Sequence, residues 1–300
     1  MIKKIIVSTC LLFSFVSFAQ EGTASPYSFF GIGDVRYKGT AEMRSMAGIG
    51  VEQDSIHINL DNPASFASLK LTTFALGGSL ATTQLKNASA SSGVQRVTLD
   101  YLAVGLPMGK LGVGFGLIPF SSVGYKIQSI APDASQNSKR FDGSGGLNKV
   151  FFGVGYAISP SLSFGADAHY NFGKIETSNL EFLSGIPVGT RETNNAILSG
   201  FNFNLGLLFQ KSLIKKINLY SSLNYAREST LKSTNTSAIS TVLIDAQFNT
   251  TLVDAASDVV TNANLKIPSK LTVGLGIGAS KKWLIAAQLS TRDAASLANT

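Results

Sequence analysis

Residues 161–172 read SLSFGADAHYNF. Leu162, Phe164, Ala166, Ala168, Tyr170 and Phe172 are apolar, and Ser161, Ser163, Gly165, Asp167, His169 and Asn171 between them are small or polar. A side-chain period of two is that of a β-strand with one apolar and one polar face. The design recurs: Phe201, Phe203, Leu205, Leu207 and Phe209 alternate with Asn202, Asn204 and Gly206, and Ile217, Leu219, Leu223 and Tyr225 alternate with Asn218, Ser222 and Asn224. In a second version glycine takes the polar face. Gly112, Gly114 and Gly116 lie among Val113, Phe115 and Leu117, and Gly274, Gly276 and Gly278 among Val273, Leu275 and Ile277. Glycine weakens a strand, so its repetition on one face implies either curvature or room for something packed there.

The links between these strands alternate in length. Pro107–Lys110, Ser159-Pro160, Lys211–Lys216 and Ser280–Lys282 are short, whereas the links near 86–94, 129–146, 177–194 and 231–265 are long and rich in Ser, Asn and Thr. Segregated short turns and long loops are the pattern of an outer-membrane barrel, with turns in the periplasm and loops outside; a secreted β-sandwich has no reason for it. About nine strands are predicted, most of them longer than the roughly 9–11 residues that a tilted strand needs to cross a bilayer. Tyr125, Phe151, Phe152, Tyr225 and Trp283 fall near strand ends, where an interfacial girdle would sit. Single-chain bacterial barrels normally have an even strand number, and Ala294–Thr300 lacks an aromatic-ended strand. The expectation is a sequence lacking several strands. The fold class predicted is therefore all-β, a transmembrane antiparallel β-barrel over 71–300.

Composition agrees. Charged residues are 14% of the chain and glycine supplies 29 positions, a balance poor in helix formers. Met1–Lys4, the apolar run Ile5–Val16 and Ser17-Phe18-Ala19 predict a signal peptide over 1–19, cut after Ala19. A lipobox at Val7–Cys10 would leave almost no apolar core. Cys10 is the single cysteine, so the mature chain has no disulfide, thiolate metal site or cysteine nucleophile. The net charge of +7 is scattered, with Lys215-Lys216 and Lys281-Lys282 the later pairs, which argues against nucleic acid.

Residues 20–70 resemble neither signal nor strand. An irregular arm runs to Lys38, and Gly39–Lys70 centres on the turn-forming Asp61-Asn62-Pro63-Ala64. This segment is predicted to fold back as a plug. Catalytic signals are sparse. Asp167 and His169 share a strand face, and the carboxylate could orient the imidazole as a general base for a serine that the sequence does not single out, making a lipid hydrolase a minor alternative; a polar lumen wall is the plainer reading. His57 reads as a satisfied polar group. The glycine runs lack phosphate-loop spacing, and no metal or cofactor site is predicted.

The order of signal, N-terminal segment, Asn62-Pro63-Ala64 turn and long amphipathic strands resembles the long-chain fatty acid transporter family of outer-membrane barrels and its secretion-accessory relatives. Gly116–Ser122, GLIPFSS, resembles that family's early strands. The resemblance implies a barrel of about fourteen strands, plugged by its N-terminal segment, that takes up hydrophobic small molecules such as fatty acids and is bathed in outer-membrane lipid. Asn62, Pro63 and Ala64 would form the plug turn, and Gly112, Gly114, Gly116, Asp167 and His169 would line the lumen. The alternative is a non-enzymatic interaction or secretion-accessory barrel whose loops bind protein cargo.

Overall fold

The computed structural model describes residues 23–35, 39–86, 91–133, 135–214, 216–245, 249–280 and 282–292. The expected signal peptide and the last eight residues lie outside them. Thirteen strands form one antiparallel sheet: β1 (Asp34–Val35), β2 (Thr73–Lys86), β3 (Ser91–Met108), β4 (Leu111–Ser129), β5 (Asn137–Ser159), β6 (Leu162–Leu183), β7 (Val188–Ile214), β8 (Ile217–Ala226), β9 (Ser229–Ile244), β10 (Thr250–Ala255), β11 (Val259–Ile267), β12 (Lys270–Ala279) and β13 (Trp283–Arg292). The spatial order β13-β12-β8-β7-β6-β5-β4-β3-β2 contains nine strands, and they are the nine expected from alternation. Among the described residues the sheet is open, with β2 and β13 at its edges.

The long polar links differ from expectation. They are not loops, because their residues extend the strands. β5, β6 and β7 run for 23, 22 and 27 residues. At about 3.3 Å per residue, β7 is about 90 Å long, against a hydrocarbon core of about 30 Å. Its first half pairs with β9 (Val188↔Leu243 to Ser199↔Lys232) and its second half with β8 (Asn204↔Ala226 to Ile214↔Ile217). β8 and β9 are thus one long strand interrupted at Arg227-Glu228. Opposite that break, Pro268-Ser269 separates β11 from β12. Proline has no N–H for the ladder, which accounts for a break there.

Polarity inverts along the sheet. In the half bearing the short turns, the outward face of β6 carries Phe164 and Tyr170 and that of β7 carries Phe201, Phe203, Leu205 and Leu207, all solvent-exposed, with Phe201 at 60%. The opposite face there is polar and buried: Ser163, Asp167, His169 and Asn171 on β6, Asn202 and Asn204 on β7, Ser222 and Asn224 on β8. A water-soluble sheet buries the reverse face. Beyond Phe172 the arrangement switches. Lys174 and Glu176 point outward and pair with each other, while Ile175 turns inward. It joins Val123, Tyr125, Leu147, Leu198, Leu231 and Leu265 in an apolar cluster on the covered face, built by β4, β5, β6, β7, β9 and β11. Farther along this half the pattern is mixed: Ile197, Val259 and Val260 are exposed, and Leu180 and Phe182, in the same alternation as Lys174 and Glu176, are buried with Val242 in a separate apolar cluster.

Candidate functional site

The chain before β2 lies on the covered face in two parts. Residues 23–35 cover the apolar cluster: Ile32 packs on it, the Phe29 ring meets those of Tyr125 and Phe141 edge-on at 5.2 and 5.9 Å, and Ser28 Oγ accepts from Gly124 N at 3.2 Å. β1 adds a short antiparallel pairing to β4 at Asp34↔Ser122.

Residues 39–70 cover the polar half. Thr40 caps the short helix α1 (Ala41–Ser45) by accepting from Met43 N at 3.5 Å. The helix is tied to β3 by Ala41 N donating to Tyr101 Oη at 3.1 Å and by Arg44 Nη2, 2.7 Å from Asp100 Oδ2. Asp100 is buried and also accepts from Ser79 and Thr98 at 3.0 and 3.1 Å, so its charge is satisfied on several sides. A few residues on, the Gln288 side chain of β13 accepts from Gly50 N at 3.2 Å and donates to Gly48 O at 3.3 Å. The segment therefore holds strands near both edges of the sheet.

Its last portion is the 3-10 helix Pro63–Ser68, capped by Asn62, whose Oδ1 accepts from Ala64 N at 3.0 Å. Such a cap contributes about 1 kcal/mol. The Asn62 amide also donates to the carbonyls of Leu207 and Leu223 at 3.2 and 3.3 Å, and Asn224 Nδ2 donates to Asp61 O. Proline at the first helical position gives up no hydrogen bond.

Glycine makes this close approach possible. Gly112, Gly155, Gly165 and Gly206 are successive cross-strand partners on β4, β5, β6 and β7. They form a rung without side chains beneath residues 62–67. A Cβ on Gly112 would lie 1.8 Å from Phe66 O, one on Gly155 2.7 Å from Ala67 N, one on Gly165 2.3 Å from Ala64 N, and one on Gly206 2.1 Å from Asn62 Oδ1. A second rung, Gly105, Gly114 and Gly153, lies beneath Leu69 and the Phe66 ring, and Gly274 faces Val51.

The residues singled out by sequence thus fall as follows. Asn62, Pro63 and Ala64 are buried against the rung, and Gly112 and Gly114 face Phe66. Gly116 shares their face, but a Cβ there would meet Leu102, Ala103 and Phe151 instead. Asp167 and His169 are 5% and 4% exposed, so they are buried on the covered face of the sheet. Asp167 Oδ1 stands 2.9 Å from His169 Nε2, off the line of a hydrogen bond, and Asn202 Nδ2 lies 3.3 Å from His169 Nδ1. Both ring nitrogens thus face polar groups of the same buried wall. His57 Nδ1 lies 2.6 Å from Asp54 Oδ2 near the short-turn end. Partial burial pushes the Asp54 carboxyl up, but hydrogen bonds from His57 and from the Ile56 and His57 amides outweigh it and hold the group below the usual carboxylate range.

The sequence reading puts Gly165 and Gly206 on the polar face without a packing role and does not single out Gly155. Hairpin arithmetic finds one pair of them: Gly155 and Gly165 are equidistant from Pro160 in the short β5–β6 turn.

The family model for BamG matches residues 1–300, the full length of the sequence. The chain belongs to the BamG family. No curated protein and no solved structure matched it. The resemblance to long-chain fatty acid transporters is corrected by this match: BamG is a family of outer-membrane components associated with the BAM complex. Of the features that carried the resemblance, the Asn62-Pro63-Ala64 turn has the local packing role described above, and its place ahead of long amphipathic strands does not identify a transporter. BamG membership associates the chain with the outer membrane and with protein assembly there, and gives no support to fatty-acid or lipid transport.

Proposed function

We propose that this chain is a transmembrane component of the outer-membrane protein-assembly machinery, acting as a non-enzymatic binding protein. The inversion of polarity between Phe172 and Lys174 supports this reading most. Below it, an exposed apolar face with a buried polar face suits strands in hydrocarbon. Above it, an apolar cluster on the covered face and charges outside suit a β-extension standing in water. The short turns would face the periplasm and the extension the cell exterior.

Residues 39–70 serve as filling for the polar half. Their backbone lies directly on the glycine rungs and they are bonded to β3, β7, β8 and β13. Such contacts favour a fixed strut over a gate. The extension then offers a rigid platform for a protein partner. Rigid platforms bind with a smaller entropic penalty than loops of the same length.

Affinity purification of the full chain from detergent-solubilised outer membranes checks this. Stoichiometric recovery of other outer-membrane assembly proteins is expected. Recovery of the chain alone under several mild detergents would overturn the assignment.

A further inference from the structure

The short-turn end carries a chemistry that partner binding by the extension does not use. Lysine occurs in Gly109-Lys110 between β3 and β4, in Lys215-Lys216 between β7 and β8 and in Ser280–Lys282 between β12 and β13, and Lys211 lies near the end of β7. The remaining turn, Pro160-Ser161, is neutral, so none of the four holds an acid. Lys110, Lys211, Lys216 and Lys282 are exposed, and none makes an ion pair with a described residue. The acids at this end lie on the covered side and are engaged: Glu52 accepts from Tyr220 Oη and Ser280 Oγ at 3.4 Å, and Asp54 faces His57.

Lys216 adds an independent observation. Its φ is +85°, in the left-handed region that glycine adopts freely and a lysine does not. Glycine would sit there with less strain, so Lys216→Gly separates the backbone requirement of this turn from the charge it carries.

The neighbours of these lysines are apolar and exposed: Met108 and Leu111 beside Lys110, Leu213 and Ile214 before Lys216, and Trp283 after Lys282. They continue the outward apolar face to its lower rim. An amine at the end of a flexible stem, beside an apolar face, suits the boundary between hydrocarbon and headgroups. An acidic protein could meet the lysines but would leave Trp283, Ile214 and Met108 in water, whereas a lipid covers both.

We propose that Lys110, Lys211, Lys216 and Lys282 form a binding rim for the phosphate headgroups of anionic phospholipid. The proposal rests on the reading that the outward apolar face lies in hydrocarbon. Native mass spectrometry of the full chain in non-ionic detergent, titrated with phosphatidylglycerol or phosphatidylcholine, tests it. Retention of phosphatidylglycerol about tenfold over phosphatidylcholine is expected, and the variant K110Q/K211Q/K216Q/K282Q is expected to lose that preference. Inorganic phosphate should not displace the lipid, because it has no acyl chains to cover Trp283 and Ile214. Lys216→Gly should raise thermal stability while lowering phosphatidylglycerol retention, a combination that a purely structural lysine would not give.

Equal retention of the two lipids, or a preference that survives the fourfold variant, would overturn the proposal. So would a variant that keeps its lipid but loses an acidic protein partner. Flotation with vesicles separates this from the underlying reading: a chain that floats without headgroup preference sinks only the lysine rim, and one that does not float sinks the membrane assignment.

Discussion

Gly165→Val is expected to dislodge the 3-10 helix Pro63–Ser68 and to destabilise the folded protein by about 3 kcal/mol, the upper range for overpacking. The Cβ would lie 2.3 Å from Ala64 N, 2.4 Å from Pro63 C and 2.6 Å from Pro63 O. These are backbone atoms, and the proline ring fixes φ on one side of them, so no rotamer change makes room. Gly112→Val should be as severe, because its Cβ would meet Phe66 O and C. Gly114→Ala should cost less, since the obstacle is the Phe66 ring, a side chain that can shift. Gly93→Ala, with nothing within 4 Å, is the neutral control. The measurement is the midpoint of heat- or denaturant-induced loss of the folded gel band, together with proteolysis of residues 39–70 in intact membranes. Four equal midpoints would mean that the segment does not sit on the rungs.

Leu231→Asp is expected to unfold the extension while leaving the half with the apolar outward face in place. Leu231 is 0% exposed and is enclosed by the cluster of Val123, Ile175, Leu198 and Leu265. An unpaired carboxylate there costs about 4 kcal/mol or more, a large fraction of the stability of a domain. Protease accessibility should rise within residues 229–244, co-purification of assembly partners should fall to background, and flotation with vesicles should be unchanged. Ile239→Asp, at an exposed site on the same strand, should leave protease resistance intact. If Leu231→Asp retained its partners, the extension would not be the platform.

These two sites differ in how far sequence announces them. The strands of the apolar-outward half were legible because an exposed apolar face and a covered polar face impose opposite demands on alternate residues, and the run from Ser161 to Phe172 records both. The short turns were legible for the same reason that they are short. The extension was not. Its strands, such as Ser229–Ile244, are rich in Ser, Thr and Asn and offer single apolar residues such as Leu231 on the covered face. That composition is also a loop's, and only pairing along β7 and β11 distinguishes them.

The site was half legible. Gly112 and Gly114 announced a packed face by repetition, and Asn62-Pro63 announced a turn, but the rung that joins them crosses the long β4–β5 connection. No local spacing shows that Gly112 lies opposite Gly155. Asp167 and His169 look like a reactive pair in sequence because burial is invisible there. In the fold they help to wall a filled interior. The transporter resemblance failed for a related reason: the features behind it arise wherever a segment packs on the polar face of amphipathic strands, whatever the protein then does.

The central claim is that this filled, extended sheet serves protein assembly in the outer membrane. Controlled depletion in the living cell tests it most directly, with the folded fraction of other outer-membrane barrel proteins read from their heat-modifiable gel mobility. Accumulation of those proteins in unfolded form, ahead of any change in uptake of hydrophobic compounds, is the expected result. Normal folding of the other barrels after complete depletion would contradict the account.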